Sequence, residues 1–200
     1  MFSSLETMSA THIFIISGPA GSGKDSIIRQ LRERLPLERI ITTTTRDKRP
    51  GESEGNPYYF VSPETFDSFI KKGILIEHSV NENGASYGVT STELDRAIKQ
   101  KDRICIWQAD WKGVREIKRL FPDIPAIFIS SPLDILEHRI RSRDTQKDES
   151  YFLERMNYTK EWLKHTDIYD YVVENTEGKL DQAVSAVENI IRKHTTLSSL

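Results

Sequence analysis

Short apolar, β-branched runs alternate with longer stretches of helical period along most of the chain. The runs at His12–Ser17, Arg39–Thr43, Ile104–Gln108, Ala126–Ser130 and Tyr171–Glu174 are apolar or β-branched at nearly consecutive positions, the pattern of strands buried on both faces. Between them, Lys24–Leu35, Thr92–Lys101, Trp111–Leu120, Leu133–Ser142, Tyr151–Leu163 and Leu180–His194 repeat apolar residues every three or four positions and predict amphipathic helices. Ser91 or Thr92, Asp110, Ser131, and Ser150 or a near neighbour stand where N-caps belong. This alternation predicts βαβ units, and so an α/β fold with a parallel sheet covered by helices on both faces.

Two stretches break the pattern. From Arg46 to Gly88 the chain is rich in Gly, Pro, Asn and Tyr, with a short helix expected after Pro63 and an apolar run at Ile74–Glu77, which reads as a small insertion beside the sheet. Arg143–Ser150 is wholly polar and joins two helices. The ends, 1–10 and 195–200, are small and polar and read as frayed tails around one domain over 11–194.

Composition narrows the class. With 200 residues, 37% apolar and 29% charged, the chain is long enough for one packed domain and too apolar for a disordered one. A net charge of −2 removes the bulk attraction of a general nucleic-acid binder, so any bound anion needs a local cluster. The single Cys105 cannot close an intrachain disulfide, and no apolar run reaches membrane-spanning length. The expectation is a soluble cytoplasmic protein with neither nucleic-acid nor membrane partners.

The strand Ile13–Ser17 runs directly into Gly18-Pro19-Ala20-Gly21-Ser22-Gly23-Lys24, which opens a helix and matches G-x-x-x-x-G-K in the required setting. Glycines let successive N–H groups curl around an anion, the helix dipole favours it, and Lys24 reaches the outer phosphates. The motif therefore predicts nucleoside triphosphate binding. The next residue is Asp25 instead of the usual hydroxyl that meets magnesium, followed by Ser26. A carboxylate is a harder ligand than a hydroxyl but brings negative charge to the phosphates, so the metal is expected to sit differently, with Asp25 as its candidate ligand. His12, His78, His138 and His165 show no metal-ligand spacing, and Trp107, Trp111 and Trp162 read as packing groups. Arg139 and Arg143 share one helical face and Arg155 follows the polar link, an arrangement suited either to an anion or to water.

Past the second strand, Thr44-Thr45-Arg46, Arg49, Gly51-Glu52, Gly55, Tyr58 and Phe60 set two arginines beside tyrosine hydroxyls. Here the chain resembles the guanylate kinase family, and the resemblance covers roughly residues 11–194. It implies a P-loop kinase core (11–45, 89–142 and 151–194), an inserted NMP-binding subdomain (46–88) and a short lid (143–150). It also implies an enzyme that transfers the γ-phosphoryl of ATP to GMP and dGMP with Mg2+. By resemblance, Arg46, Arg49, Tyr58 and Tyr87-Gly88 hold the acceptor phosphate. Glu77 accepts from guanine N1–H and the 2-amino group, while Thr42 and Asp110 stand at the purine. Arg139, Arg143 and Arg155 belong to the lid, and Asn175 lies near the adenine of ATP. No general base is needed, because the acceptor phosphate has a second pKa of about 6.

The chain departs from the family pattern in four places, the first being Asp25 after the loop lysine. Val89 replaces the hydroxyl residue after Tyr-Gly, with Thr90 next. One extra residue separates Glu77 from Tyr87. Gln108 stands where the family has an acidic residue near magnesium. Since Asp25 is acidic where the family is not, the sequence suggests that a magnesium-associated carboxylate has moved from one position to the other. Gly23-Lys24-Asp25-Ser26 and Tyr87-Gly88-Val89 also resemble ribose 1,5-bisphosphate phosphokinases, which keeps a sugar-phosphate acceptor open. A non-catalytic guanylate kinase-like binding module is the third reading. The choice between monomer and homodimer also stays open.

Overall fold

A computed structural model describes residues 12–81 and 84–195; apart from Thr195, the expected tails lie outside it. Five strands, β1 (Ile13–Ser17), β2 (Leu37–Arg39), β8 (Ile104–Trp107), β9 (Ala126–Ser130) and β10 (Tyr171–Glu174), form a parallel sheet in the order β10-β9-β1-β8-β2. A second, mixed sheet contains β3 (Thr42–Thr44), β4 (Ser53–Glu54), β5 (Pro57–Phe60), β6 (Leu75–Val80) and β7 (Ser86–Thr90) in the order β4-β5-β3-β7-β6. The helices are α1 (Lys24–Arg34), α2 (Pro63–Lys71), α3 (Ser91–Lys99), α4 (Trp111–Leu120), α5 (Leu133–Arg143), α6 (Glu149–Leu163) and α7 (Leu180–His194).

Strand β1 shows why the large sheet needs cover on both sides. Phe14 and Ile16 pack with Ile27, Ile28 and Leu31 of α1 and Val184, Val187 and Ile191 of α7. Ile13 and Ile15 face the other way, into Leu94 of α3, Val114 and Ile117 of α4, and Trp162 of α6. Each such fully buried side chain contributes about 1.5–3 kcal/mol by leaving water. β1 pairs with β8 on one side and β9 on the other, so the crevice at the carboxyl end of the sheet opens where it runs into its glycine loop.

The single strand expected over Arg39–Thr43 is two strands in different sheets. Leu37–Arg39 pairs with β8, Ile40 still donates its N–H to Ile106 O at 2.9 Å, and Thr42 already pairs with Tyr58. Between them, Ile41 N–H donates to the buried Glu93 carboxylate at 2.7 Å. A β-branched run satisfies either sheet equally well, so its pattern cannot reveal where the chain crosses over.

The small sheet draws on both flanks of the expected 46–88 insertion, since β3 precedes it and β7 runs past it. Cap positions also shift. Thr90, one residue before the expected position, caps α3 through Glu93 N–H at 3.2 Å. Asp148 caps an α6 that begins two residues earlier than expected. Asp110 caps α4 as expected, whereas the Ser131 hydroxyl makes no cap and donates to Asn175 O at 2.7 Å. No helix of the described residues is long and apolar enough to cross a membrane.

Candidate active site

The loop after β1 depends on two of its glycines. A Cβ on Gly18 (φ +147°) would lie 2.3 Å from Ile129 O, and one on Gly23 (φ +88°) 2.2 Å from Asn175 Nδ2. Only residues without a side chain let the loop fold against the end of β9 and against Asn175. Lys24, at the start of α1, donates to the loop carbonyls of Gly18 and of Pro19, the latter at 2.9 Å. Desolvation lowers its ammonium pKa to about 8; Asp25 opposes this, and the charges of Arg143 and Arg155 add to it.

Asp25 and Gln108, the two departures that bear on magnesium, face one another. Gln108 Nε2 lies 3.5 Å from Asp25 Oδ1, and Arg39 Nη2 from the end of β2 lies 2.8 Å from the same oxygen. Against partial desolvation in the cleft, the Arg39 and Lys24 charges hold the Asp25 carboxyl below its ordinary range. In the sequence Arg39 stands only as the expected start of a strand, and an arginine at a strand end carries no signal of its partner.

On the far side of the loop, Gly23, Ser26, Arg139 and Asn175 line a second, shallow pocket. Asn175 donates to Ser22 O at 2.8 Å, while its Oδ1 is buried and has no partner among the described residues. Arg139 is tied to the loop itself, donating to Gly21 O and Asn175 O, both at 3.2 Å, and pairing with Glu177. Arg143, the last residue of α5, pairs with Asp144, whose carboxyl is pulled down to about 2 by that arginine and by the Tyr151 hydroxyl. Arg155 lies in the second turn of α6 and donates to the Tyr151 oxygen at 3.2 Å. The three arginines therefore sit on different supports, and only Arg155 lines the main cleft.

That cleft, about 230 Å³ and open to solvent, joins the two sheets. Ala20, Lys24, Asp25 and Gln108 form one wall; Thr42, Tyr58, Glu77 and Tyr87 of the small sheet form the other, with Asp110 at the floor. Glu77 is 4% exposed, and burial, reinforced by the Asp110 charge, pushes its carboxyl up to about 8. Gly113 makes room for it: a Cβ there would lie 3.0 Å from Glu77 Oε2. Gly88 is a packing position, since a Cβ would meet Glu77 O at 2.6 Å. Tyr58 and Tyr87 meet edge to face at 5.9 Å, and desolvation raises the Tyr58 pKa, so its hydroxyl stays a neutral donor.

Arg46 and Arg49 lie outside the cleft lining. The Arg46 guanidinium stacks 5.3 Å from the Tyr58 ring and is gripped by both Glu52 oxygens at 2.8 and 3.0 Å, while Arg49 donates its backbone N–H to Glu52. Glu52 thus orders the arginine pair, a role its position within the Arg-x-x-Arg-x-Gly-Glu string gave no hint of. Ser79, Asn81, Tyr158 and Thr159 also line the cleft and carry no role in the sequence pattern, while Trp162, expected as a packing group, packs in the core and lines the cleft as well. Beneath it, Ser17 Oγ donates to Ala109 O at 2.7 Å and meets Tyr169 OH, which accepts from Trp162 Nε1 at 3.0 Å. This buried chain ties the end of β1 to the 108–110 segment and to α6.

A glycine loop with its lysine at the crevice of a parallel sheet, faced by a small second sheet across one cleft, defines a P-loop protein of the nucleotide kinase type. The family model described as guanylate kinase matches residues 10–194. A guanylate kinase from Coxiella burnetii is 36% identical over 188 residues, covering 92% of this chain and 88% of its own length. One from Histophilus somni is 34% identical over 185 residues, covering 90% and 87%. The crystal structure of guanylate kinase from Anaplasma phagocytophilum superposes with a TM-score of 0.71 over 93% of this chain and 87% of that one, at 24% identity. The chain belongs to the guanylate kinase family.

Proposed function

We propose that this chain transfers the γ-phosphoryl group of ATP to GMP, and to dGMP, giving ADP and the nucleoside diphosphate. The observation that carries this reading is the shared cleft: the loop lysine and the buried Glu77 line opposite walls of one cavity. Phosphoryl transfer asks for positioning and charge neutralisation more than covalent chemistry. The loop amides and Lys24 take the donor phosphates, and the unpartnered Asn175 Oδ1 is an acceptor of the kind an adenine amino group needs. Tyr58, Tyr87 and the Glu52-ordered Arg46 and Arg49 take the acceptor phosphate. Arg155 from the cleft, with Arg139 and Arg143 from the adjoining supports, offsets charge on the migrating group.

Glu77 supplies the base choice. Guanine presents two adjacent donors, N1–H and the 2-amino group, where adenine presents an acceptor and a donor, and an ionised carboxylate only accepts. The domain division follows the same logic. The parallel-sheet core holds the donor, the inserted sheet around 46–88 holds the acceptor, and 143–150 is the lid.

The family implies magnesium, and the residues present suit it. No cluster of three or more acidic, histidine or cysteine side chains exists among the described residues, which excludes a cage made by the protein alone. Magnesium at nucleotides is held by one or two carboxylates together with phosphate oxygens. Asp25, its side chain 81% exposed in the cleft beside Lys24, is such a carboxylate, with the Gln108 amide next to it and Arg39 offsetting part of its charge. The ion supplies charge neutralisation on the phosphates.

For Asp25→Ser the expected result is about a tenfold or greater rise in the magnesium concentration that half-saturates nucleotide binding, followed by calorimetry as well as by turnover. An unchanged magnesium dependence would remove Asp25 from this role. The function as a whole is tested by ADP release with ATP and magnesium, offering GMP, dGMP, AMP and ribose 1,5-bisphosphate in turn. GMP and dGMP are the expected acceptors. Preference for the sugar bisphosphate would move the chain to the other kinase class, and no turnover with any acceptor would make it a binding module.

A further inference from the structure

Side chains from three separate elements meet at the carboxyl edge of the large sheet. Asp25 stands at the start of α1 just after the loop of β1, Gln108 follows β8, and Arg39 ends β2; parallel pairing of β1, β8 and β2 as neighbours sets the three side by side. Arg39 Nη2 donates to Asp25 Oδ1 at 2.8 Å and Gln108 Nε2 lies 3.5 Å from the same oxygen, while no described residue hydrogen-bonds Oδ2. The backbone around Arg39 is pinned as well. Arg96 Nη2 donates to its carbonyl at 2.9 Å, and Ile40 N–H donates to Ile106 O at 2.9 Å. The Arg39 Nε is buried with no partner among the described residues.

Leaving that donor unpaired costs free energy, and an ion pair with so exposed a carboxylate returns little stability to the fold. What stands beside the pair explains it better. The loop amides, Lys24 and the start of α1 form an anion site, and a bare carboxylate one residue past the lysine would repel the phosphates that site takes. We infer that Arg39 is a positioning residue of the donor site: it fixes the Asp25 carboxylate through Oδ1 and cancels its charge until a cation does so, which lets the donor phosphates enter beside it. Oδ2 is the oxygen left for the cation. The role rests on the donor half of the proposed function, nucleotide phosphates on the glycine loop, whichever acceptor is used.

The test is calorimetric affinity for ATP on the full chain, measured with EDTA and again with saturating magnesium. Without metal, Arg39→Met should bind ATP about tenfold more weakly, the scale of one uncompensated charge beside the phosphates. Arg39→Gln, which also lacks the charge, should match it and serves if the methionine variant fails to fold. Arg39→Lys, which keeps the charge, should lose much less. In the double variant Asp25→Asn with Arg39→Met, affinity should return to the parent's, because neither charge is left. Saturating magnesium should erase the Arg39→Met defect, since the ion then neutralises the carboxylate. An unchanged metal-free affinity in Arg39→Met, with a melting transition like the parent's, would overturn the role. So would a double variant that binds no tighter than Arg39→Met, or a defect that magnesium leaves in full. A parent chain that binds ATP in neither condition would instead remove the donor reading itself, before any variant is compared.

Discussion

Turnover falls by a factor of about 10³ or more when Lys24 is replaced by methionine, the loss expected for a cation that neutralises the transferring phosphoryl group. The same substitution raises the melting temperature at pH 7. Lys24 holds its proton less tightly in the folded chain than in the unfolded one, since its pKa drops from 10.5 to about 8. Between those two values the unfolded state binds more protons, so the parent gains stability as pH rises through that window. Below pH 8 the charged ammonium carries its full desolvation cost, and methionine removes it. The advantage of Lys24→Met should shrink from pH 8 upward and vanish near pH 10.5. Thermal denaturation across this range, beside a turnover assay, checks both halves. A variant that loses stability at pH 7, or keeps its rate, contradicts the account.

Glu77→Gln carries the second large effect. The amide brings an N–H to an edge of guanine made of donors, so kcat/KM for GMP should fall by about 10² or more, the scale on which a polar site rejects a mismatched partner. In the parent, a carboxyl with a pKa of about 8 is mostly protonated at pH 7 and must lose that proton to receive guanine. GMP affinity should therefore strengthen by somewhat under tenfold per pH unit between pH 6.5 and 8, and this slope should be absent in Glu77→Gln. Stability moves the opposite way from Lys24. The folded pKa lies above the ordinary 4.5, so the parent loses stability as pH rises from about 4.5 to about 8. Glu77→Gln should be more heat-resistant than the parent at pH 8 and equal to it near pH 4. A flat pH profile for GMP binding in the parent would refute the assignment.

Much of this was legible in the sequence, for physical reasons. Ala126–Ser130, Trp111–Leu120 and Leu180–His194 have the expected bounds because burial on both faces, or a single apolar stripe, leaves one reading of the pattern. Tyr171–Glu174 also keeps its expected bounds, but it is an edge strand that exposes Val172, not the doubly buried strand its apolar run predicts. The phosphate loop was legible because few residues other than glycine tolerate its backbone. What stayed hidden depends on contacts between distant elements. Arg39 finds Asp25 only after β2 is laid beside β8, and Glu52 meets Arg46 only once the turn closes. Ser79 likewise left no signal, since Glu77-His78-Ser79 is polar at three consecutive positions and only the folded strand shows which of them face inward. On β6 the polar Glu77 and Ser79 point inward while Val80 is 48% exposed, an inversion of the usual alternation that marks a strand lining a cavity instead of a core.

The chain leaves the large sheet at Ile40–Ile41 and the small sheet at Thr90–Ser91, and both passages are fastened at one place. Glu93 accepts the Ile41 amide with its side chain, and its own amide is held by Thr90. Arg96, one turn on, grips the Glu93 carboxylate and the Arg39 carbonyl. This clasp on α3 lines neither pocket, yet it fixes how the two sheets meet across the cleft. On the function proposed above, loosening it should cost alignment between donor and acceptor, read as a fall in turnover with little change in calorimetric affinity for either nucleotide.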